Sequence, residues 1–265
     1  FMLKIELEQL DKNIQKIIDE TDQIVANNFR KKVGIQYKSE NGAYNPVTEI
    51  DLEIEAKLKS FLSKKYPDFG FLGEESKSEI KSEYTFIIDP IDGTTNFSSG
   101  IPLCGTALVL FFKDQPIYTI QSFPLLHERV VAYNDLIRLN GEAIEKINVK
   151  RRLRLAYENS GSNEERAQLV LKLAQNGIPV ERYGSSAFDT NLVATNRIDI
   201  VVLEKLAVWD IAATLGFASC CEDLAAKILT NHKIIDPENK NTAYKHTVVF
   251  GKKEFVEQVA EILEN

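Results

Sequence analysis

Two aspartates, Asp89 and Asp92, stand close together at the end of an apolar run. Residues 84–88 are rich in apolar and β-forming side chains, which predicts a buried strand that stops at Asp89-Pro90, with Asp92 in the same turn. Two carboxylates this close repel each other strongly unless a positive charge lies between them. Carboxylate oxygens suit Mg²⁺ or Ca²⁺ rather than zinc or copper. The pair therefore predicts a divalent-cation site.

The residues that follow Asp92 are suited to holding a phosphate group. Gly93 removes a side chain where a ligand could approach the backbone. Thr94 and Thr95 offer hydroxyls and backbone N–H groups at a predicted helix start, which favours phosphate. An alternative stays open here, because Asp-Pro-x-Asp-Gly also suits a simple polar turn.

Two known motifs with paired aspartates do not fit the spacing. An EF-hand loop needs acids at alternate positions, a glycine at its sixth position and a glutamate at its twelfth, whereas Gly93 comes too early after Asp89. An aspartyl nucleophile of the haloacid dehalogenase type needs Asp-x-Asp-Gly-Thr. Pro90 occupies the place of its first aspartate.

Other acids along the chain could complete a cation site. Glu74 and Glu75 lie in a predicted loop just before the strand, where they could also be merely exposed. Asp51 follows Thr48 by three residues, which also fits a helix capping box. Asp210 begins a predicted helix, where it could be an N-cap. The interpretation as a site depends on these acids coming together in the fold.

Composition limits the classes of partner. The chain has 265 residues, 44% hydrophobic and 27% charged, and a formal charge of −7, which disfavours nucleic acid as the main partner. Its three cysteines form no CxxC pair and its three histidines no HExxH pattern, so we expect neither a disulfide framework nor a zinc site. With no leader-like or membrane-spanning run, we expect a cytoplasmic protein without a membrane partner.

Apolar periodicity predicts a mixed, layered architecture. The N-terminal half, residues 1–141, shows helices and then neighbouring strands, and would carry most metal ligands. Helices are predicted at 3–25 and 48–64, a short apolar piece lies at 69–72, and strands are predicted at 84–88, 105–112, 116–123 and 128–133. The C-terminal half, residues 142–265, contains Asp210. It alternates strands at 153–157, 180–183 and 198–203 with helices at 164–176, 187–194 and 210–221, which indicates an α/β arrangement of one catalytic unit.

Four sequence blocks together resemble the inositol monophosphatase family of Mg²⁺-dependent, lithium-sensitive phosphatases. They are Val-Thr-Glu-Ile-Asp at 47–51, Gly-Glu-Glu-Ser at 73–76, Ile-Asp-Pro-Ile-Asp-Gly-Thr-Thr-Asn-Phe at 88–97 and Trp-Asp-Ile-Ala-Ala at 209–213. The blocks come in the family's order and at its usual spacing, and the third is highly specific. The resemblance implies an αβαβα sandwich of the inositol monophosphatase and fructose-1,6-bisphosphatase type.

The resemblance also implies a metal centre of two to three Mg²⁺ ions. Glu74, Asp89 and the carbonyl of Ile91 would hold the first ion, and Glu74 would help a third, weaker one. Asp89, Asp92 and Asp210 would hold the second. Such a centre suits phosphate ester hydrolysis, which needs charge neutralisation and positioning more than a protein nucleophile.

Catalytic and substrate roles follow from the same resemblance. Asp51 and Thr94, with Glu74, would activate the attacking water. The side chains expected to face the substrate or its phosphate are Asp92, Gly93, Thr94, Ser186, Glu204 and Asp210. Ser186 stands where the family commonly has alanine, and Glu204 lies one residue nearer to Trp209 than the family's ring-contacting glutamate.

The expected reaction is hydrolysis of a phosphate monoester of a small soluble metabolite, with inositol monophosphate first. Fructose-1,6-bisphosphate and NADP(H) are alternatives within the family, and 3′-phosphoadenosine 5′-phosphate is disfavoured by Thr95. An alternative of another class is a non-catalytic regulatory or scaffold protein of the transcription machinery. By analogy with the family, we also expect a homodimer.

Overall fold

The described part of the chain begins with helices, continues with a run of strands and then alternates strands with helices. The computed structural model describes residues 6–31, 34–37, 46–76, 83–144, 153–230 and 245–264. Its helices are α1 (Leu7–Asn28), α2 (Glu49–Lys65), α3 (Thr94–Ser98), α4 (Asn163–Gln175), α5 (Ser186–Ala194), α6 (Val208–Ser219) and α7 (Lys253–Glu264). A short 3-10 helix spans Pro124–Leu126.

The larger sheet contains the seven consecutive strands β3 to β9 in chain order. They are β3 (Gly70–Gly73), β4 (Tyr84–Asp92), β5 (Gly105–Phe112), β6 (Gln115–Phe123), β7 (Glu128–Tyr133), β8 (Leu136–Leu139) and β9 (Glu142–Ala143). All neighbours are antiparallel except β3 and β4, which run parallel. A separate antiparallel pair joins β1 (Ile35–Tyr37) and β2 (Pro46–Thr48).

The second sheet has the order β11-β10-β12-β14-β13. Its strands are β10 (Leu155–Asn159), β11 (Val180–Glu181), β12 (Ile200–Leu206), β13 (Leu224–Ile228) and β14 (His246–Lys252). Strands β11, β10 and β12 are parallel to one another, whereas β14 is antiparallel to β12 and β13. The carboxyl ends of the three parallel strands therefore meet at one edge of the sheet.

Three clusters of buried apolar side chains define five layers. One cluster joins α1 and α2 to the first sheet, the second fills the space between the sheets around α5 and α6, and the third joins α4 and α7 to the far face of the second sheet. The layers are thus helices, sheet, helices, sheet, helices. The predicted αβαβα sandwich is confirmed.

The first two helices form where their sequence patterns predict. The buried residues of α1 recur at three- and four-residue intervals from Leu7 to Val25, which makes one apolar stripe. Helix α2 begins after Thr48, whose side chain accepts hydrogen bonds from the first-turn N–H groups. Positions 3–5 of the predicted first helix lie outside the described residues.

A β-bulge at Pro90 and Ile91 sets the direction of the two aspartates. Asp89 lies opposite Ala107 and Asp92 opposite Gly105, so three steps along β4 match two steps along β5. Without the extra residue, side chains three positions apart in a strand would point to opposite faces. The bulge turns both carboxylates towards the space between the sheets.

The sequence-based expectations differ from the structure at several elements. The expectation that the strand stops at Asp89-Pro90 was wrong, because β4 continues through the bulge to Asp92. Strand β9 extends the first sheet to Ala143, two residues past the predicted N-terminal half. The expected elements did not include the strands β1, β2, β8, β9, β13 and β14 or the helix α7, and β3 lies where only a short apolar piece was identified.

The helices were compared with the requirements for spanning a membrane. Among the described ranges, no helix combines the length and the apolar character that crossing a bilayer requires.

The contact between α6 and β6 leaves no room for a side chain at Gly216. A Cβ added there would lie 1.8 Å from Oγ1 of the buried Thr119. We expect Gly216→Ala to lower the free energy of unfolding by about 1–3 kcal/mol through overpacking, measured by urea denaturation.

Thr119→Ala supplies the control for this contact. Added to Gly216→Ala, it removes the closest atom and should recover most of the lost stability, which is a strongly non-additive result. Additive effects of the two substitutions, or a fully stable Gly216→Ala protein, would show that α6 does not rest on β6 in this way.

Candidate active site

Three buried or half-buried carboxylates converge between the two sheets. Asp89 and Asp92 come from the bulged end of β4, and Asp210 comes from the first turn of α6. Among the described residues, one carboxylate oxygen from each lies within 4.8 Å of the others. This spacing is compatible with three oxygen ligands around a single cation.

Asp89 has no hydrogen-bond partner for either carboxylate oxygen among the described residues, although it is 1% exposed. Burial raises the pKa of Asp89 well above its usual range, and the charges of Glu74, Asp92 and Asp210 raise it further. Burial likewise raises the pKa of Asp210, with Glu74 and Asp92 adding to the effect. Clustered buried acids, of which Asp89 has no donor among the described residues, require a cation or protons.

Two serines at the start of α5 fix the carboxylate of Asp92. The hydroxyl of Ser185 donates to its Oδ1 and the hydroxyl of Ser186 to its Oδ2. Burial raises the pKa of Asp92, while these two hydrogen bonds oppose the rise. The serines leave lone pairs on both oxygens available, so Asp92 remains able to coordinate an ion.

Asp51 connects α2 to the end of the bulge. Its Oδ2 accepts the backbone N–H of Thr48 at 2.8 Å, and its Oδ1 lies 3.1 Å from Oγ1 of Thr94. The same Thr94 hydroxyl lies 2.9 Å from the carbonyl oxygen of Ile91. Burial raises the pKa of Asp51, and the bonds from Thr48 and Thr94 oppose this rise. Asp51 therefore caps its helix and also reaches the site.

The segment after β3 places Glu74 next to the cluster. Glu55 on α2 accepts the backbone N–H of Glu75 at 2.8 Å, and its carboxylate is 3% exposed. A Cβ at Gly73 would lie 2.6 Å from that carboxylate, so only glycine fits there. Glu55 thereby fixes the backbone on either side of Glu74. The charge of Glu74 is the largest electrostatic contribution to the raised pKa of Asp89, after burial itself.

Gly93 joins the bulge to the short helix α3. Its φ is +81°, and a Cβ there would lie 2.8 Å from the carbonyl oxygen of Leu103. Two residues into α3, the amide of Asn96 donates to the carbonyls of Tyr183 and Gly184, at 2.8 and 3.2 Å. This bond ties the end of β4 to the segment that leads into α5.

Glu204 lies apart from the other predicted site residues. Its carboxylate accepts hydrogen bonds from the hydroxyl of Tyr157, at 2.6 Å, and from the amide of Asn159. Tyr157 belongs to the cluster on the far face of the second sheet, under α4 and α7. The structure thus brings together Asp51, Glu74, Asp89, Ile91, Asp92, Gly93, Thr94, Ser186 and Asp210, but not Glu204.

The family assignment follows from a profile of the inositol monophosphatase family, which matches residues 6–216. That range contains all four sequence blocks and every acid of the cluster. The chain belongs to the inositol monophosphatase family. The prediction of this family is confirmed, and the expected enzyme class, phosphoric monoester hydrolase, is that of the relatives.

The relatives that match the chain carry names that indicate different functions. The bifunctional phosphatase IMPL2 of Arabidopsis thaliana is 30% identical over 74% of this chain and 58% of its own length. The chain thus aligns with somewhat more than half of that protein. The Nus factor SuhB of Haemophilus influenzae is 28% identical over 72% of this chain and 74% of its own.

A solved structure of an inositol monophosphatase and NADP phosphatase, complexed with Mg²⁺ and phosphate, has a TM-score of 0.80. It is 21% identical and covers 97% of this chain and 95% of that one. At this identity the likeness establishes the shared fold.

Sequence reasoning missed two side chains that shape this site. Ser185 binds Asp92, and Glu55 holds the segment around Glu74. Glu55 had a signal, because it stands four residues after Asp51 and so shares its helix face.

The donor set fits magnesium. The described atoms that converge are carboxylate oxygens, which are among the ligands Mg²⁺ prefers, and Asp89, which has no partner among the described residues, leaves two oxygens for coordination.

The raised pKa values predict how metal-free protein responds to pH. The folded state keeps protons on Asp89 and Asp210 above their unfolded pKa of 3.8, so it binds more protons than the unfolded chain. The stability of metal-free protein contributed by these groups should therefore fall as the pH rises from about 4 towards neutrality. We expect Mg²⁺ to raise the melting temperature more at about pH 8 than at about pH 5.

Asp89→Asn tests whether the clustered acids cause this fall in stability with rising pH. In the chelator-treated state it should flatten the decline with pH, whereas Asp114→Asn, at an exposed turn, should match the unsubstituted protein. An equal decline in Asp89→Asn and unsubstituted protein would contradict the cluster as its source.

Proposed function

We propose that this chain hydrolyses a phosphate monoester of a small soluble metabolite in a Mg²⁺-dependent reaction, with inositol monophosphate as the first candidate substrate. The observation that carries the proposal is the buried carboxylate of Asp89, which lies in a cluster of acids and has no hydrogen-bond partner in the part of the chain that the structure describes. The site belongs to a family whose named members include inositol monophosphatases.

The residues present would hold two to three magnesium ions. Glu74, Asp89 and the carbonyl of Ile91 would hold one, and Asp89, Asp92 and Asp210 another, with Glu74 helping a third. When bound, magnesium would supply positive charge for the phosphate oxygens and lower the pKa of water. The solved neighbour complexed with Mg²⁺ and phosphate supports this choice of ion.

Asp51 and Thr94 would prepare the attacking water. The Thr94 hydroxyl has two acceptors within reach, Asp51 at 3.1 Å and the Ile91 carbonyl at 2.9 Å. When the Thr94 hydroxyl donates a hydrogen bond to Asp51, its oxygen lone pairs can accept a hydrogen bond from the attacking water. Asp51 thus fixes the direction of this hydroxyl.

The phosphate would lie against the turn at Gly93 and Thr94. Gly93 carries no side chain there and opens α3, whose first backbone N–H groups have no partner within the helix. The hydroxyl of Ser186 donates to the carboxylate of Asp92, so Ser186 would act on the substrate indirectly, by positioning Asp92.

Further features belong to the same proposal. NADP(H) and fructose-1,6-bisphosphate are alternative substrates, the former favoured by the dual activity in the name of the solved neighbour. A role in the transcription machinery is the alternative of another class, favoured by relatives named Nus factor SuhB. A cytoplasmic homodimer inhibited by lithium completes the proposal.

Asp92→Asn tests the metal centre. We expect kcat for Mg²⁺-dependent phosphate release to fall at least about a hundredfold, because a ligand loses its charge. The amide can still accept from Ser185 or Ser186, so the melting temperature should change little. Full activity from a folded Asp92→Asn protein would contradict the assignment, and Asp114→Asn provides the matched control at an exposed site.

Asp51→Asn tests the preparation of water. We expect kcat to fall by about a hundredfold to ten-thousandfold, the range of general-base contributions, with Mg²⁺ affinity retained. The measurement is kcat against Mg²⁺ concentration. A change confined to the Mg²⁺ requirement would instead place Asp51 among the ligands.

A further inference from the structure

Glu204 cannot reach the metal cluster from its place on β12. Side chains alternate between the two faces of a strand, and Ile200 and Val202 of β12 belong to the cluster under α4 and α7. Glu204 follows the same alternation and binds Tyr157 and Asn159 on that face. The carboxylate expected at the substrate is therefore committed to the other side of the sheet.

Glu158 on the adjacent strand β10 has the opposite orientation. It is paired in register with Leu203, just as Ala156 is paired with Val201. Leu203, Ala156 and Val201 all belong to the cluster between the two sheets. Register partners point to the same face, so Glu158 points into the layer that contains α5 and α6.

Glu158 also lies at the correct edge of the sheet. It is near the carboxyl end of β10, Arg182 directly follows β11, and β12 leads into α6 with Asp210. Ligands of α/β sheets bind outside the carboxyl ends of parallel strands. Two residues beyond Arg182, the carbonyl of Gly184 accepts a hydrogen bond from the amide of Asn96, which lies in the same sequence block, 88–97, as Asp89 and Asp92.

A guanidinium fixes Glu158 at the surface of this edge. Arg182 donates from Nε at 3.2 Å and from Nη2 at 2.5 Å to the two carboxylate oxygens. The side chain of Glu158 is 12% exposed and that of Arg182 is 42% exposed. The two hydrogen bonds place carboxylate acceptors and guanidinium donors side by side at a partly exposed position.

We propose that Glu158, positioned by Arg182, binds the hydroxyl groups of the substrate's alcohol part and so selects phosphate esters of polyols or sugars. This inference rests on the proposed phosphatase function of the same site. A hydroxyl both donates and accepts hydrogen bonds, so it can donate to Glu158 while accepting from Arg182. An aryl alcohol without further hydroxyls gains nothing from the pair.

The test compares Glu158→Gln with Glu204→Gln, which removes a carboxylate from the opposite face of the neighbouring strand. Each protein is assayed with Mg²⁺ on inositol 1-phosphate and on p-nitrophenyl phosphate. We expect Glu158→Gln to raise KM for inositol 1-phosphate about tenfold or more, with little change in its kcat, because a charged acceptor is lost. Its kinetics on p-nitrophenyl phosphate should remain unchanged, and Glu204→Gln should leave KM for both substrates unchanged.

Three results would overturn the proposal. The first is an equal loss on both substrates in Glu158→Gln, which indicates a structural role. The second is a selective loss in Glu204→Gln with none in Glu158→Gln. The third is unsubstituted protein that hydrolyses p-nitrophenyl phosphate but neither inositol 1-phosphate nor fructose-1,6-bisphosphate. Unsubstituted protein that hydrolyses none of the three with Mg²⁺ would instead contradict the proposed phosphatase function, and this inference with it.

Discussion

Electrostatic repulsion among buried carboxylates is the constraint on which the site depends. Asp89 is 1% exposed and unpartnered among the described residues, with Asp92 and Asp210 near it and Glu74 acting on it electrostatically. Such an arrangement is costly in the absence of protons or a cation, so the fold must supply enough stability elsewhere to hold it. Three apolar clusters between the five layers supply it.

The layer order explains how acids that are distant in sequence converge. The bulge in β4 turns Asp89 and Asp92 into the space between the sheets, and α6 enters the same space with Asp210 in its first turn. Asp51 arrives from α2 on the opposite side of the first sheet, at the strand end where Thr94 begins α3. Substrate selectivity would come from the second sheet, whose three parallel strands end at this space.

Much of this organisation could be predicted from the sequence. Long periodic segments such as α1 and α2, and the strands with continuous apolar runs, have local signals strong enough to locate them. The four acid-bearing blocks indicated the family, and the structure brings their acids together. The strand was expected to end at Pro90, because proline normally interrupts strand pairing, whereas the bulge absorbs it. Helix α7 was missed although Val256, Val259 and Ala260 recur at helical spacing and are buried, and β14 was missed although it contains a run of buried apolar residues.

The side on which Glu204 lies could not be predicted either. The face of a side chain depends on strand register, and a shift of one residue reverses it. The sequence gives no local signal for the orientation of Glu158, because its pairing with Leu203 depends on the register between β10 and β12. Contacts of this kind require the three-dimensional register.

The most direct test of the central claim is calorimetric titration of Mg²⁺ into chelator-treated protein at neutral pH. The account predicts saturable binding of at least two ions, accompanied by release of protons from the clustered acids. It also predicts that Asp89→Asn, whose side chain would be shared by both principal ions, loses most of this binding while Asp114→Asn retains it. Absence of binding to the folded protein, or unchanged binding by Asp89→Asn, would contradict the account.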